Sequence, residues 1–440
     1  MRRRQMMNKI IGLLIIFSCL SFSAHADITV KHVKTDIANA WLIKDTTLPI
    51  ISVKVTFKHA GVITDPQNLL GRGRIAHAAM MEGAGDLDAR RFAEKLDFHA
   101  IKLGSSIGLD HASISLTTLT EHKNTAFELL GAMIISPRYN NEDVQRIKDE
   151  YISNIKQLKE KPSYLLSQAF KRHGFGEHAY GRDYYGDEAS INRISPKDLH
   201  AYNQKFFARD NMIISVSGDI TPDDLRKLLN KYLSELPDTS QKQDIQQVVL
   251  NTNHDTIYVN APYPQTSVQI SIPGIARSDK QFYAAYVMNH ILGGSGLAAR
   301  LGKAIRQERG LTYSVGSYLS MNDAAQWIGI NFSTQNATAK EAVDVAYDVI
   351  NRAGEKGFSE AELNDAKSNI TGSFPLNLDS NAERVSYLDI MQLHNLGLDY
   401  LTKRNSYIES VTLEDVNKVA AQYLQTKNHL TLLVGNTKEH

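Results

Sequence analysis

The end of each half of this 440-residue chain repeats the other at a fixed spacing of 217 residues. The matched pairs are Ser195/Thr412, Asp198/Asp415, Phe206/Tyr423, Asn211/Asn428 and Gly218/Gly435. In both copies a Ser or Thr with an acid three residues later predicts a capped helix, followed by an apolar strand that ends in glycine. A chain of this length is too long for one ordinary core. The repeat therefore predicts two copies of one α/β unit, of roughly 200 residues each.

Within each copy, the hydrophobic pattern changes between the period of a strand and that of a helix. Residues 51–57 alternate between apolar and polar side chains, which predicts a strand with one face against a core, whereas 74–82 has a helical pattern. After the polar linker that begins at Pro237, the alternation of Val268, Ile270 and Ile272 starts the scheme again. We therefore expect an α+β fold of two tandem homologous domains, each an antiparallel sheet flanked by helices. The expected bounds are 27–237 and 251–440, joined by a linker at 238–250.

The first 26 residues have the features of a secretory signal peptide. Arg2, Arg3, Arg4 and Lys9 precede or border an apolar run at 10–17, and Ala24-His25-Ala26 offers a small-x-small cleavage site. We expect cleavage after Ala26 and a periplasmic or secreted product without a membrane span. Cleavage at Cys19 to give a lipoprotein is disfavoured because Phe17 stands where a small residue is needed.

Removal of this segment takes away four cations and no acids. The formal net charge falls from +1 to −3, which does not favour nucleic acid as a partner. Cys19 is the one cysteine of the chain, so the mature product has no thiol or disulfide, and a thiol protease is excluded.

A glycine-rich turn at 293–296 and the segment after it contain the strongest candidate for a functional site. The turn predicts a short helix that carries Arg306 and ends at Gly310, and Tyr313 follows at the start of a predicted strand. A guanidinium and a phenol that face one site are donors without a base or nucleophile, and suit binding of a peptide carbonyl or a developing oxyanion. The alternative is an exposed helical arginine and a half-buried strand tyrosine.

This segment, Leu-Gly-Gly-(few)-Arg-Leu…Arg-(six residues)-Tyr, resembles a signature of the insulinase/pitrilysin family of zinc peptidases, in the branch of mitochondrial processing peptidase. The sequence from His178 to Arg182, followed by Gly186, resembles another family segment. The duplication also agrees with the family architecture, in which two like domains form half of a closed clamshell chamber. The resemblance implies that Arg306 and Tyr313 reach across the chamber to substrate at a zinc site in the other half.

The zinc motif of that family, H-x-x-E-H on a helix, is missing. In this motif two histidines bind zinc and the glutamate activates water, while a later helix supplies another glutamate ligand. At the matching positions this chain has Arg74, His77 and Ala78, and the later ligand position falls near Asn154. The resemblance therefore implies no metal and no other cofactor in this chain, with zinc in a partner subunit.

These observations favour a subunit that lacks zinc in a heterodimeric peptidase. Its partner would be a homologous zinc-bearing chain, its substrate a peptide or unfolded polypeptide, and it would be inactive alone. The alternative is a catalytically inert peptide-binding or scaffold protein of the same fold. An enzyme of another class is disfavoured, because no catalytic triad, metal cluster or cofactor motif accompanies the pattern.

Overall fold

The computed structural model describes residues 28–253, 256–425 and 427–436. The expected signal peptide, with Cys19 and Ala26, lies outside the described residues. None of the helices in this described part combines the length and apolar character that a membrane crossing requires.

Among the described residues, the first half of the chain forms a six-stranded sheet, a small hairpin and eight α-helices. The strands are β1 (Val30–Lys34), β2 (Asn39–Lys44), β3 (Ile50–Phe57), β4 (Gly83–Ala84), β5 (Leu87–Asp88), β6 (Lys102–Ile107), β7 (Ala112–Leu119) and β8 (Met212–Gly218). The helices are α1 (Arg72–Ala79), α2 (Ala89–Phe98), α3 (Lys123–Ile135), α4 (Asn141–Lys159), α5 (Pro162–Phe175), α6 (Glu188–Arg193), α7 (Pro196–Phe206) and α8 (Pro222–Tyr232). The sheet has the order β1-β2-β8-β3-β7-β6, and β4 and β5 form the hairpin.

The described part of the second half forms a five-stranded sheet and six α-helices. The strands are β9 (Ile257–Asn260), β10 (Gln265–Pro273), β11 (Val315–Met321), β12 (Gln326–Gln335) and β13 (Leu430–Gly435). The helices are α9 (Phe282–Asn289), α10 (Ala339–Lys356), α11 (Glu360–Gly372), α12 (Asn381–Leu393), α13 (Tyr400–Glu409) and α14 (Leu413–Tyr423). The sheet has the order β11-β12-β10-β13-β9.

The two sheets have the same topology, which confirms the duplication. Read as β9-β13-β10-β12-β11, the second sheet follows β2-β8-β3-β7-β6 of the first. In each sheet one pair of strands is parallel, β2 with β8 and β9 with β13, and the other neighbours are antiparallel. Helices α7 and α14 are related by the same 217-residue offset, and Ser195 and Thr412 cap them with capping boxes to Asp198 and Asp415. The α+β class and the tandem repeat are therefore as predicted.

Each sheet buries one face under the helices of its own half. In the first sheet Ile51, Val53, Val55 and Phe57 are fully buried in a core that includes helices α1 to α4, α7 and α8. In the second sheet Val268, Ile270 and Ile272 have the equivalent place. The alternation seen in the sequence therefore marks the two main cores correctly.

The opposite face of each sheet is covered by a helix from the other half. Helix α12 of the second half lies on the first sheet, where the Gln392 amide donates to Ile214 O at 3.1 Å and to Ser215 Oγ at 2.8 Å. Helix α5 of the first half packs on the second sheet, with Phe170 against Trp327 at a ring distance of 5.2 Å. The halves therefore exchange corresponding helices, and neither sheet is complete without the other half.

Candidate functional site

Arg306 and Tyr313 lie next to each other at the surface of the second half. The guanidinium carbon of Arg306 is 4.9 Å from the centroid of the Tyr313 ring, and the Tyr313 side chain is 85% exposed. Within the described residues, neither side chain has a hydrogen bond or an ion pair. The pair therefore presents unoccupied donor groups to solvent, and they include neither a general base nor a nucleophile.

The local backbone explains this proximity. Arg306 lies in a single π-helical segment, Gly302–Gln307, and Gly310 ends the turn in the left-handed region with φ of 63°. The N–H of Leu311 then donates to Ile305 O at 3.0 Å, which folds the chain back. The predicted short helix is thus a π-helical turn, and Tyr313 lies two residues before β11 rather than within a strand.

The glycine-rich segment lets this turn pack tightly on the sheet. A methyl group at Gly293 would lie 2.5 Å from Ser317 Oγ in β11, and one at Gly302 would lie 2.2 Å from the carbonyl oxygen of Gly296. Only glycine fits such close approaches. The glycines thus hold the segment that carries Arg306, and a phosphate-binding role is not needed to explain them.

The residue in place of the motif glutamate, His77, is part of the core. Its Nδ1 pairs with the hydroxyl of Ser105, its Nε2 lies 3.2 Å from Tyr202 Oη, and its ring packs edge-on against Phe207. Burial lowers the pKa of His77 from 6.5 to about 3. Both ring nitrogens are therefore occupied by a structural network, and His77 is not available as a metal ligand.

The other positions of the degenerate motif also fail to offer a ligand set. Arg74 packs its guanidinium over the ring of Tyr185 at 4.4 Å, and Ala78 lies one turn further along the same helix. Asn154 is exposed on α4. Among the described residues, no three His, Cys, Asp or Glu side chains form a group that could hold a metal ion. The residues present do not fit zinc, because a cation and an alanine stand where two imidazoles are needed.

The surroundings of Arg74 contain polar atoms without partners, which the sequence did not reveal. Arg74 Nε and Tyr151 Oη are both buried and have no hydrogen-bond partner among the described residues. Lys171 of α5 also approaches Tyr185, with Nζ at 5.6 Å from the ring centroid. These residues come from four separate segments with no recognisable motif, so no sequence signal could have placed them together.

The segment from His178 to Arg182 joins the halves. Buried Tyr180 donates its hydroxyl proton to Asp110 Oδ1 at 2.7 Å and accepts the backbone N–H of Ala324 at 2.9 Å. The other oxygen of Asp110 accepts the backbone N–H of Asp323 at 3.1 Å. This segment thus positions the second half on the first.

Comparison with known proteins agrees with this geometry. Residues 193–370 match the family model described as the peptidase M16 inactive domain. A Helicobacter pylori protein named non-peptidase homolog YmxG is 24% identical over 402 residues, which cover 89% of this chain and 90% of that protein. The crystal structure of a peptidase M16 inactive domain from Pseudomonas fluorescens has a TM-score of 0.86 and 26% identity, and the match covers 92% of this chain and 97% of that one.

A longer protein shares the fold. The structure of the periplasmic protease PqqL from Escherichia coli matches with a TM-score of 0.77 and 18% identity. The match covers 92% of this chain but 45% of PqqL. One copy of the fold described here therefore corresponds to less than half of that protease.

Proposed function

We propose that this chain belongs to the peptidase M16 family and is the subunit without zinc of a heterodimeric metallopeptidase. In this proposal Arg306 and Tyr313 reach a peptide that is bound at the zinc site of a homologous partner. The chain contributes half of a closed chamber and does not cleave peptides alone. Units 27–237 and 251–440, with the linker at 238–250, are the two domains of this half.

The observation that carries the proposal is the exposed pair of Arg306 and Tyr313. A tyrosine that is 85% exposed buries little apolar area, so its contribution to folding is small. The pair lies on a turn built from closely packed glycines, and both donors remain available. Such an arrangement is suited to a ligand from outside this chain.

The chemistry of the pair fits peptide hydrolysis at a neighbouring site. Attack of water on a peptide carbonyl builds negative charge on its oxygen, and donors aimed at that oxygen bind more strongly as the charge develops. The phenol of Tyr313 can donate one hydrogen bond to this oxygen. The guanidinium of Arg306 can also hold a substrate carbonyl before reaction.

Two further observations support a role within a complex. The positions equivalent to the zinc motif are filled by Arg74, buried His77 and Ala78, so the water-activating chemistry must come from elsewhere. The single-chain fold corresponds to 45% of the longer protease PqqL, which leaves room for a second unit of similar size. We expect the interface with the partner to exceed the ~1,600 Å² of a standard complex.

The expected location follows from the sequence. Residues 1–26 have the composition of a signal peptide, which would direct the chain to the periplasm or the exterior. Purification of the native chain from periplasmic extracts, with identification of the proteins that accompany it, would provide both the location and the partner.

Reconstitution tests the proposal directly. The isolated mature chain should hold no stoichiometric zinc after dialysis and cleave no peptide, whereas addition of the zinc-bearing companion should create peptidase activity. In that pair Tyr313→Phe should lower turnover by about 10²–10³. Arg306→Ala should mainly raise KM. Tyr258→Phe and Arg352→Ala are matched controls, because both change exposed residues of the second half outside the segment that carries Arg306 and Tyr313.

Three outcomes would contradict the proposal. The first is one tightly held zinc per isolated chain, and the second is full activity of the Tyr313→Phe pair. The third is a loss of thermal stability in step with the loss of activity, which would make Arg306 and Tyr313 structural.

The alternative is an inert protein of the same fold that binds peptides or assembles other subunits. The name of the Helicobacter relative, non-peptidase homolog, favours this alternative. A stable complex with the companion that binds peptide but shows no hydrolysis, with or without Arg306 and Tyr313, would support this alternative.

A further inference from the structure

A cavity of about 330 Å³ lies between α5 of the first half and the outer face of the second sheet. Its walls are mostly apolar and aromatic, and include Phe170, Phe175, Tyr184 and Trp327. Tyr318 and Asn331 stand at its exposed side. Ligand pockets typically have volumes of about 300–1,000 Å³ with apolar walls and a few polar groups, and this cavity has these properties.

Lys171 is the one cationic side chain among the residues that line this cavity. Its Nζ lies 4.4 Å from the centroid of the Tyr184 ring, rather than against a carboxylate. The nearby carboxylate of Asp183 is already engaged, since it accepts hydrogen bonds from Tyr164 Oη at 2.5 Å and from the Gln168 amide at 2.9 Å. The ammonium of Lys171 therefore lacks a partner anion.

Trp327 gives a second, independent indication that the cavity is a ligand site. Its side chain is 9% exposed and lines the same cavity, and its Nε1 has no hydrogen-bond partner among the described residues. A buried indole N–H usually finds an acceptor, because an unsatisfied donor costs free energy. The cavity thus contains an unpaired cation and an unpaired N–H donor within apolar walls.

We propose that this cavity binds a carboxylate attached to an apolar body, with the carboxylate oriented by Lys171 and Trp327. Such a group occurs at the C-terminus of a peptide whose last residue is apolar, and also in free aromatic or aliphatic acids. Phosphate fits less well, because it has no apolar part to fill the aromatic walls and prefers several charged donors. This site is separate from Arg306 and Tyr313, so the proposal does not depend on the partner subunit.

The chain contains its own reporter for binding. It has two tryptophans, Trp41 and Trp327, so the variant Trp41→Phe leaves Trp327 as the one source of tryptophan fluorescence. Titration with N-acetyl-Gly-Gly-Phe as the free acid should shift or quench this emission to saturation. The same peptide as its C-terminal amide, and acetate at equal concentration, should leave the emission unchanged.

Titration with a second acid identifies the source of the carboxylate. If 3-phenylpropanoate and the peptide acid both bind, and compete, the cavity recognises the shared chemistry and accepts either source. If 3-phenylpropanoate alone binds, the ligand is a small free acid. Absence of a saturable signal with both compounds, confirmed by calorimetry on the unmodified mature chain, would overturn the proposal.

Variants test the role of the cation. Lys171→Met keeps an unbranched apolar side chain and removes the charge, so it should weaken binding of the acid by about ten- to hundredfold. Lys197→Met, which changes an exposed lysine on α7, is the matched control and should bind as the parent does. Equal binding by Lys171→Met and the parent would also overturn the proposal, and circular dichroism checks that both variants are folded.

Discussion

Lys54 of the first sheet and Asp389 of α12 form an ion pair between the two halves, with Nζ 2.5 Å from Oδ2. Asp389 is buried, and its other carboxylate oxygen has no hydrogen-bond partner among the described residues. Among the described residues, Lys54 is the one side chain that pairs with this buried carboxylate. A lysine on the outer face of a strand thus joins the first sheet to the helix that covers it.

Removal of Lys54 should destabilise the whole chain. Lys54→Met leaves a buried carboxylate without its cation, which typically costs about 3–5 kcal/mol. Lys44→Met, at an exposed position at the end of the neighbouring strand β2, is the control and should change the free energy of unfolding little. Chemical denaturation measures both variants. Restoration of stability by the double variant Lys54→Met with Asp389→Leu would attribute the cost to the unpaired charge.

The exchanged helices predict that the halves fold only together. Expressed alone, residues 251–440 would lack α5 and expose the apolar side chains of Leu430, Leu432 and Val434, which pack in one cluster with that helix. We expect this fragment to aggregate. Co-expression with residues 27–237 should keep it in solution as a complex that elutes at the size of the intact chain. A monomeric, well-folded 251–440 fragment would show that the exchange is not needed for folding.

The exchange also marks the limit of what the sequence could predict. The repeat, both sheets and the buried faces could be predicted because periodicity and capping are local signals. Ser52 and Thr56, on the polar face of β3, are nevertheless buried, because α12 from the other half covers them. The cover comes from residues more than 300 positions away, and no local pattern encodes it.

The candidate site, too, could be predicted from the sequence only in part. The proximity of Arg306 and Tyr313 followed from the glycine positions between and around them, although the local helix is a π-helical turn and Tyr313 precedes its strand. The neighbours of Arg74 could not be predicted, because Tyr151, Lys171 and Tyr185 come from α4, α5 and a loop.

The buried state of His77 predicts a dependence of stability on pH. Its pKa is about 3 in the folded chain and near 6.5 when exposed, so the unfolded state binds a proton first as the pH falls. The contribution of neutral His77 to the free energy of unfolding is complete above pH 6.5. It declines as the pH falls towards 3, by up to about 1.4 kcal/mol per pH unit. His77→Gln should remove this part of the slope. Denaturant unfolding at pH 7, 6, 5 and 4 measures it.

Asp65 provides an opposing contribution in part of this range. Burial raises its pKa from 3.8 to about 6, so the folded state takes up a proton below pH 6 and the stability from this group is lost as pH rises through that value. Parent and His77→Gln both contain Asp65, so their difference isolates His77. Parallel pH profiles of the two proteins would contradict the assignment.

The last prediction concerns the free-energy cost of burying the Lys171 ammonium in the cavity wall. Burial lowers the pKa of Lys171 to about 8, with Asp183 opposing this shift and Arg74 adding to it. The folded state therefore binds fewer protons than the unfolded state between pH 8 and the ordinary lysine value of 10.5, and below pH 8 the chain carries the full penalty of a buried ammonium.

Lys171→Met should therefore be more stable than the parent at pH 7, by about 1–3 kcal/mol, and this advantage should shrink as the pH approaches 10. Binding of the acid should weaken above pH 8, where Lys171 loses its charge, whereas Tyr184 keeps its proton because burial raises its pKa. Thermal unfolding and the fluorescence titration, each at pH 7, 8 and 9, measure the two effects. If Lys171 lowers the stability of the fold and is nevertheless needed to bind the acid, ligand binding explains its place in the cavity wall. If Lys171→Met were less stable than the parent at pH 7, Lys171 would instead have a structural role in the packing of α5.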